Sequence, residues 1–94
     1  MIAIDTNVLL RYLLNDDKAQ SPKAYRLITG ASSVLITDVV LAETIWTLTG
    51  KRYKLGKSDI IRVINALFAD SNIVFEDSQT IWRALQDYQK EPVK

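Results

Sequence analysis

The chain has 94 residues and a formal net charge of +1, and 48% of its residues are apolar and 24% charged. This composition predicts one small globular domain with a modest core and excludes a disordered chain. The sequence contains no cysteine and no histidine, which excludes disulfides and histidine catalysis, so a bound metal needs oxygen ligands, as Mg²⁺ or Mn²⁺ does.

The first ten residues combine an apolar run with an acid. Residues 1–4 predict a buried strand of a parallel sheet, and residues 8–14 show the apolar spacing of a helix. Asp5 stands between them, at the carboxyl end of the strand, where open α/β sheets bind ligands. It is also a residue type that commonly caps a helix. Both interpretations are open on this stretch alone.

A second helix and a second strand follow. Ser21 and Pro22 predict the start of the helix, with Ser21 as its cap, and Gly30 predicts its end. Residues 34–36 are a short apolar run that predicts the strand. This alternation of strands and helices favours an α/β fold.

The segment 37–49 predicts the third helix, capped by Thr37 or Asp38. It is apolar nearly all round, which indicates a buried helix. Glu43 is the only charge between Asp38 and Lys51. An unpaired buried carboxylate is very costly, so Glu43 must reach solvent, pair with an arginine or bind a cation.

Residues 50–57 form a basic segment with four cations and Tyr53. Such a segment suits contact with a phosphate backbone and stacking on the tyrosine. Glycine and cations are also common at helix ends, which is the structural alternative.

The rest of the chain completes a β-α-α-β-α-α-β-α pattern. Ser58 predicts the cap of a core-packing helix, residues 73–75 a third strand, and residues 76–78 the cap of a last helix. We find no repeat, linker, targeting segment or apolar run long enough to span a membrane. We therefore expect a single domain over residues 1–94 in the cytoplasm.

Two of these segments carry a resemblance to a known family. Residues 2–10, Ile-Ala-Ile-Asp-Thr-Asn-Val-Leu-Leu, and the following Arg-Tyr-Leu-Leu resemble the opening of PIN-domain ribonucleases of the VapC toxin type. Residues 39–46, Val-Val-Leu-Ala-Glu-Thr-Ile-Trp, resemble the second acidic segment of that family. The resemblance implies an α/β, PIN-like three-layer fold with a short parallel sheet, of which this chain has three strands.

The resemblance also implies a function and a site. The expected activity is that of an endoribonuclease that uses Mg²⁺ or Mn²⁺ to cleave RNA. Asp5 and Glu43 match the family's first two metal ligands and catalytic acids, and Thr6 and Asn7 are expected to support them. A cognate antitoxin and a homodimer are the implied protein partners. The candidate RNA contacts are the cations nearest these motifs, Arg11, Lys51, Arg52 and Lys54.

The family's third and fourth acidic positions have no counterpart here. The late acids, Glu76, Asp77, Asp87 and Glu91, do not match them. We therefore expect a fold that is incomplete at its C-terminus, with an unpaired edge on the first strand. Two alternatives stay open at this point. One is a catalytically dead PIN-like binding or dimerisation module, and the other is an unrelated small α/β interaction domain.

Overall fold

A computed structural model describes residues 1–91 of the chain; residues 92–94 of the predicted domain lie outside the described residues. The order of elements matches the predicted pattern. The strands are β1 (Ile2–Ala3), β2 (Val34–Ile36) and β3 (Ile73–Phe75). The helices are α1 (Thr6–Leu14), α2 (Gln20–Gly30), α3 (Asp38–Thr49), α4 (Lys57–Ala69) and α5 (Ser78–Lys90).

The three strands form one parallel sheet in the order β1-β2-β3. Ile2 pairs with Val34, and Val34 pairs with Ile73. Because the strands are parallel, their carboxyl ends meet at one edge, which we call the carboxyl edge. The α/β fold with a short parallel sheet of three strands is thereby confirmed.

Side-chain caps fix where several helices begin. Asp5 caps α1 and Thr37 caps α3, each by accepting a hydrogen bond from a backbone N–H three residues on. The predicted cap of α2 at Ser21 is wrong, because α2 begins at Gln20. Asp17 accepts the N–H groups of Ala19 and Gln20 there, at 2.9 and 2.7 Å. These bonds lower the pKa of Asp17.

The predicted cap of α4 at Ser58 is also wrong. The helix begins at Lys57, with Gly56 in the cap position. The carboxylate of Asp59 reaches back to accept the N–H of Gly56 at 3.3 Å. The acid at the third helical position thus makes the reciprocal half of a capping box, in which a side chain inside the helix accepts the N–H of the cap residue.

The main core lies against one face of the sheet. Its buried side chains come from all three strand segments and from four helices: Ile4, Leu9, Ile28, Val34, Ile36, Leu41, Leu67 and Phe75. The strand register places Ala3, Leu35 and Val74 side by side on the opposite face. Ala3 and Val74 are exposed there and Leu35 is half-buried. This face is accessible in residues 1–91, and the expected third layer stays a prediction.

The outer edge of β1 is unpaired in the part of the chain that the structure describes. The N–H groups of Ile2 and Ile4 point to β2, where they donate to Ser33 and Leu35 at 3.1 and 3.3 Å. The backbone groups of Ala3 therefore face away from β2, since successive residues alternate along a strand. The unpaired edge expected from the sequence is present.

Helix α3 departs from the prediction of a buried helix. Leu41, Thr44 and Leu48 are buried. Val39 and Trp46 are 67% and 79% exposed. The apolar pattern all round the helix therefore marks two surfaces, one facing the core and one facing solvent. Within residues 1–91, no helix combines the length and the apolar character that crossing a membrane requires.

Candidate active site at the carboxyl edge

Asp5 lies directly after β1 and caps helix α1. Its Oδ1 accepts the backbone N–H of Val8 at 2.8 Å. The bond satisfies one of the N–H groups that the first helical turn leaves without a partner. The residue itself is exposed. The capping role raised from the sequence is therefore present, and it leaves the second carboxylate oxygen available at the carboxyl edge.

Glu43 lies in the second turn of α3 and is exposed. Its Oε1 accepts a hydrogen bond from the hydroxyl of Thr6 at 3.2 Å. Thr6 is the first residue of α1 and the neighbour of Asp5 in the chain. A side chain from α3 therefore reaches the point at which α1 begins, where the Asp5 cap also lies.

The two polar neighbours of Asp5 have different partners. Thr6 donates to Glu43. The amide of Asn7 instead donates to Oε1 of Gln20 at 3.3 Å. The structure therefore joins Glu43 to Thr6, the chain neighbour of Asp5, and directs Asn7 toward α2.

The arrangement concentrates negative charge at the start of a helix. The N-terminus of α1 carries the positive end of the helix dipole, which favours nearby carboxylates. A divalent cation would neutralise them more fully, and carboxylate and hydroxyl oxygens are ligands that hard cations prefer. The donor chemistry fits Mg²⁺ or Mn²⁺. Residues 1–91 contain no group of three or more acidic side chains placed to share an ion, so water would supply most of the remaining ligands.

Glu76 is a residue at this edge whose role the sequence did not reveal. It follows β3 directly, and its N–H donates to the carbonyl of Ile36 at 3.1 Å. Its Oε1 accepts the N–H of Asp38, the first residue of α3, at 2.9 Å. Glu76 therefore holds the start of the helix that carries Glu43. The sequence feature that indicates a role for Glu76 is its place as an acid immediately after a strand, which is also the pattern of Asp5.

The candidate RNA-binding cations divide into two groups. Arg11 is largely buried and forms an ion pair with Asp16 at 2.8 Å. Tyr53, and after it Asp16, raise the pKa of Arg11. Its charge is therefore already engaged within the protein. The cations of the segment after α3 are exposed: Lys51, Arg52 and Lys54.

A comparison with family models matches residues 2–92 to the PIN domain family. The match covers nearly the whole chain, and the protein belongs to this family. PIN domains are in general metal-dependent nucleases that use divalent ions. No curated protein and no solved structure matches the chain. Family membership excludes the alternative of an unrelated α/β interaction domain.

Proposed function

We propose that this PIN-domain protein is an endoribonuclease of the VapC toxin type that acts in the cytoplasm. Asp5 and Glu43 are its proposed metal ligands and catalytic acids. The observation that carries the proposal is the hydrogen bond from Thr6 to Glu43, because it joins the second acidic segment to the residue beside the first acid. Mg²⁺ or Mn²⁺ is the proposed ion, since both prefer oxygen ligands.

The chemistry follows from the residues at the edge. A divalent ion, when bound, polarises the phosphodiester and lowers the pKa of a coordinated water. Asp5 and Glu43 would hold this ion, and Thr6 fixes the Glu43 carboxylate by its hydroxyl. The cap that Asp5 makes to Val8 restrains its carboxylate in turn. The chain has no histidine, so this proposal needs no imidazole as acid or base.

We propose that a further helix–strand segment, with the remaining acidic ligands, pairs with the open edge of β1 and covers Ala3 and Val74. Unpaired strand edges bind other strands, and exposed apolar faces pack against partners. A version of the chain that carries such a segment should then bind Mn²⁺ more tightly than the 94-residue chain. Equal affinities of the two would contradict this part of the proposal.

The proposed partners are RNA as substrate, a cognate antitoxin that covers the carboxyl edge, and a second copy of the chain. The open β1 edge supports association with another chain. Light scattering at increasing protein concentration tests self-association. A mass that stays monomeric over the range would remove the homodimer from the proposal.

The test of the activity compares matched variants. Asp5→Asn and Glu43→Gln each keep side-chain shape and remove one charge, so each should abolish Mn²⁺-dependent cleavage of single-stranded RNA and weaken Mn²⁺ binding. Asp87→Asn, which neutralises an exposed acid on α5, is the control and should change neither. Cleavage that survives in a folded Asp5→Asn variant would overturn the assigned role.

A second candidate is a PIN-like binding module without catalysis. The observation that favours it is that residues 1–91 contain no group of three or more acidic side chains placed to share an ion. If the protein is such a binding module, Mn²⁺ should bind weakly, Asp5→Asn and Glu43→Gln should not change this binding, and RNA should stay intact with every variant. The same experiment therefore separates the two functions.

A further inference from the structure

Trp46 is the most exposed large apolar side chain in residues 1–91, at 79%. Tryptophan is usually among the more buried residues of a domain because its ring is large. The other tryptophan, Trp82, packs edge-to-face on Phe68 with ring centroids 5.4 Å apart. Trp46 takes part in no aromatic pair within the described residues. Its indole therefore offers an open face to solvent.

Trp46 lies one helical turn beyond Glu43 on the same side of α3. Val39, Ala42, Glu43 and Trp46 have the spacing that aligns residues along one face of a helix. All four are exposed. Because side chains tilt toward the N-terminus of their helix, the indole leans over the turn that carries Glu43. The candidate catalytic acid and an open aromatic ring are thus neighbours.

The exposed cations lie in the segment directly after α3, which turns back so that the N–H of Leu55 donates to the carbonyl of Leu48 at 2.9 Å. Helix α3 ends at Thr49, and a β-carbon on Gly50 would come within 3.3 Å of the carbonyl oxygens of Trp46 and Thr47. Glycine therefore permits the tight exit that leads into Lys51 and Arg52. From Glu43 to Thr49, the last residue of α3, the helix advances about 9 Å at 1.5 Å per residue. A carboxylate, an indole and a cation cluster follow one another in the chain over this part of α3 and the segment after it.

This order suits a single-stranded nucleic acid better than an apolar protein partner. Cations bind phosphates, and an aromatic ring stacks on a base of any sequence. An apolar protein contact centred on Trp46 would bury the neighbouring Glu43 carboxylate without a counter-charge, which is costly, so a protein partner at this surface needs a cation opposite Glu43. An RNA strand leaves that carboxylate with its cation. The substrate of the candidate site thus explains the acid, the ring and the cations together.

We infer that Trp46 is a stacking platform for a base of single-stranded RNA next to the bond that is cleaved at Asp5 and Glu43. The inference rests on the proposed function for the position of the RNA. One base lies on the indole, and the phosphate on its far side contacts the cluster of Lys51, Arg52 and Lys54. The ring sets where the strand lies along α3 and takes no part in the chemistry.

Fluorescence of the chain in EDTA tests the stacking while RNA cannot be cleaved. Trp82→Phe makes Trp46 the only tryptophan, and a short single-stranded RNA of mixed sequence should quench its emission. Loss of one stacked base costs about 1–3 kcal/mol, so Trp46→Ala should raise the Kd by roughly 5- to 150-fold. Trp46→Phe should recover most of the affinity, because it keeps an aromatic face. Trp82→Ala is the control and should bind RNA like the parent.

Two results would overturn the inference. One is a Trp46→Ala variant that binds RNA with unchanged affinity. The other is Trp46 emission that changes with protein concentration and not with RNA, together with loss of self-association in Trp46→Ala. This result would show that the surface around Trp46 binds a second copy of the protein. If Asp5→Asn still cleaves RNA while the emission of Trp46 still responds to RNA, only the proposed metal site is refuted. If cleavage requires both acids but Trp46→Ala binds RNA normally, only the stacking is refuted.

Discussion

Asp5 combines two roles that substitutions can separate. It caps α1 through the N–H of Val8, and it is a proposed metal ligand. Asp5→Asn keeps an oxygen that can accept the cap bond and removes the charge. Asp5→Ala removes both. Comparing the two variants in the presence and absence of Mn²⁺ assigns a separate energy to each role.

The magnitudes follow from the local structure. Replacing a capping Asp by Ala costs about 1 kcal/mol, because one N–H of the first turn loses its partner. For a domain of this size that lowers Tm by roughly 4–8 °C. In Asp5→Asn the cap remains. The lost attraction of a negative charge to the helix N-terminus costs about 0.3–1 kcal/mol, which does not exceed the cost of losing the cap. We expect Asp5→Asn to unfold closer to wild type than Asp5→Ala does without metal.

Thermal unfolding with and without Mn²⁺ is the assay. An ion that binds only the folded state at ten times its Kd adds about 1.4 kcal/mol of stability. The wild-type Tm should therefore rise on adding Mn²⁺, and the Tm of Asp5→Asn and Asp5→Ala should stay where it was. RNA cleavage, followed on the same samples, should be lost in both variants.

Asp77 provides the matched control. It caps α5 as Asp5 caps α1, with Oδ1 accepting the N–H of Thr80 at 3.1 Å, and it lies outside the proposed site. Asp77→Ala should lower Tm and leave the response to Mn²⁺ unchanged. If Asp5→Asn gains as much Tm from Mn²⁺ as the wild type, Asp5 is a cap only and the reasoning fails.

Three further predictions concern other residues. Glu76→Ala should lower the affinity for Mn²⁺ by loosening the start of α3. Glu76→Gln, which keeps the acceptor for the N–H of Asp38, should bind Mn²⁺ like the wild type. Equal affinities of Glu76→Ala and the wild type in calorimetry would show that Glu76 does not influence the metal site. Burial is the main cause that raises the pKa of Tyr12, and Asp70 is the next. The stability that this raised pKa contributes is present below about pH 10 and is lost as the pH rises through the higher pKa of the folded state. Tyr12→Phe should therefore reduce the fall in the free energy of unfolding at alkaline pH, measured by urea unfolding. An unchanged fall would show that other groups cause it. Neutralising the three exposed cations after α3, Lys51, Arg52 and Lys54, should make the slope of log affinity for RNA against log salt concentration shallower by about 2. An unchanged slope would show that these cations do not contact RNA.

The sequence was sufficient to predict the order and type of every element in the described residues. Short apolar runs between turn residues are unambiguous when each is followed by a helical pattern, as at residues 34–36 and 73–75. Helix starts were less predictable. At α2 the capping bonds come from Asp17, three residues before the helix, and at α4 they come from Asp59 inside it. Several nearby polar side chains could make these bonds, and the sequence does not choose among them.

The exposure of α3 and the role of Glu76 were not predictable from pattern. An apolar side chain has the same signature whether it faces the core or a bound molecule, so the pattern does not distinguish Trp46 from Leu41 and Leu48. Glu76 does not match the acidic motif expected from the family, and its position after a strand does not name its partner. Its hydrogen bond to the start of α3 joins residues far apart in the chain and depends on the strand order, which periodicity does not reveal. Asp5 and Glu43 were found because each stands alone in an apolar stretch.

The sheet register has a consequence for how the carboxyl edge comes into existence during folding. Every strand pair joins segments more than thirty residues apart, Ile2 with Val34 and Val34 with Ile73. Strands of two or three residues cannot hold together before the helices between them have formed, because closing such loops costs entropy first. We therefore expect the contact between α1 and α3 to form in the last cooperative step of folding. The proposed nuclease activity, followed during refolding, should then appear together with the native sheet and not before it.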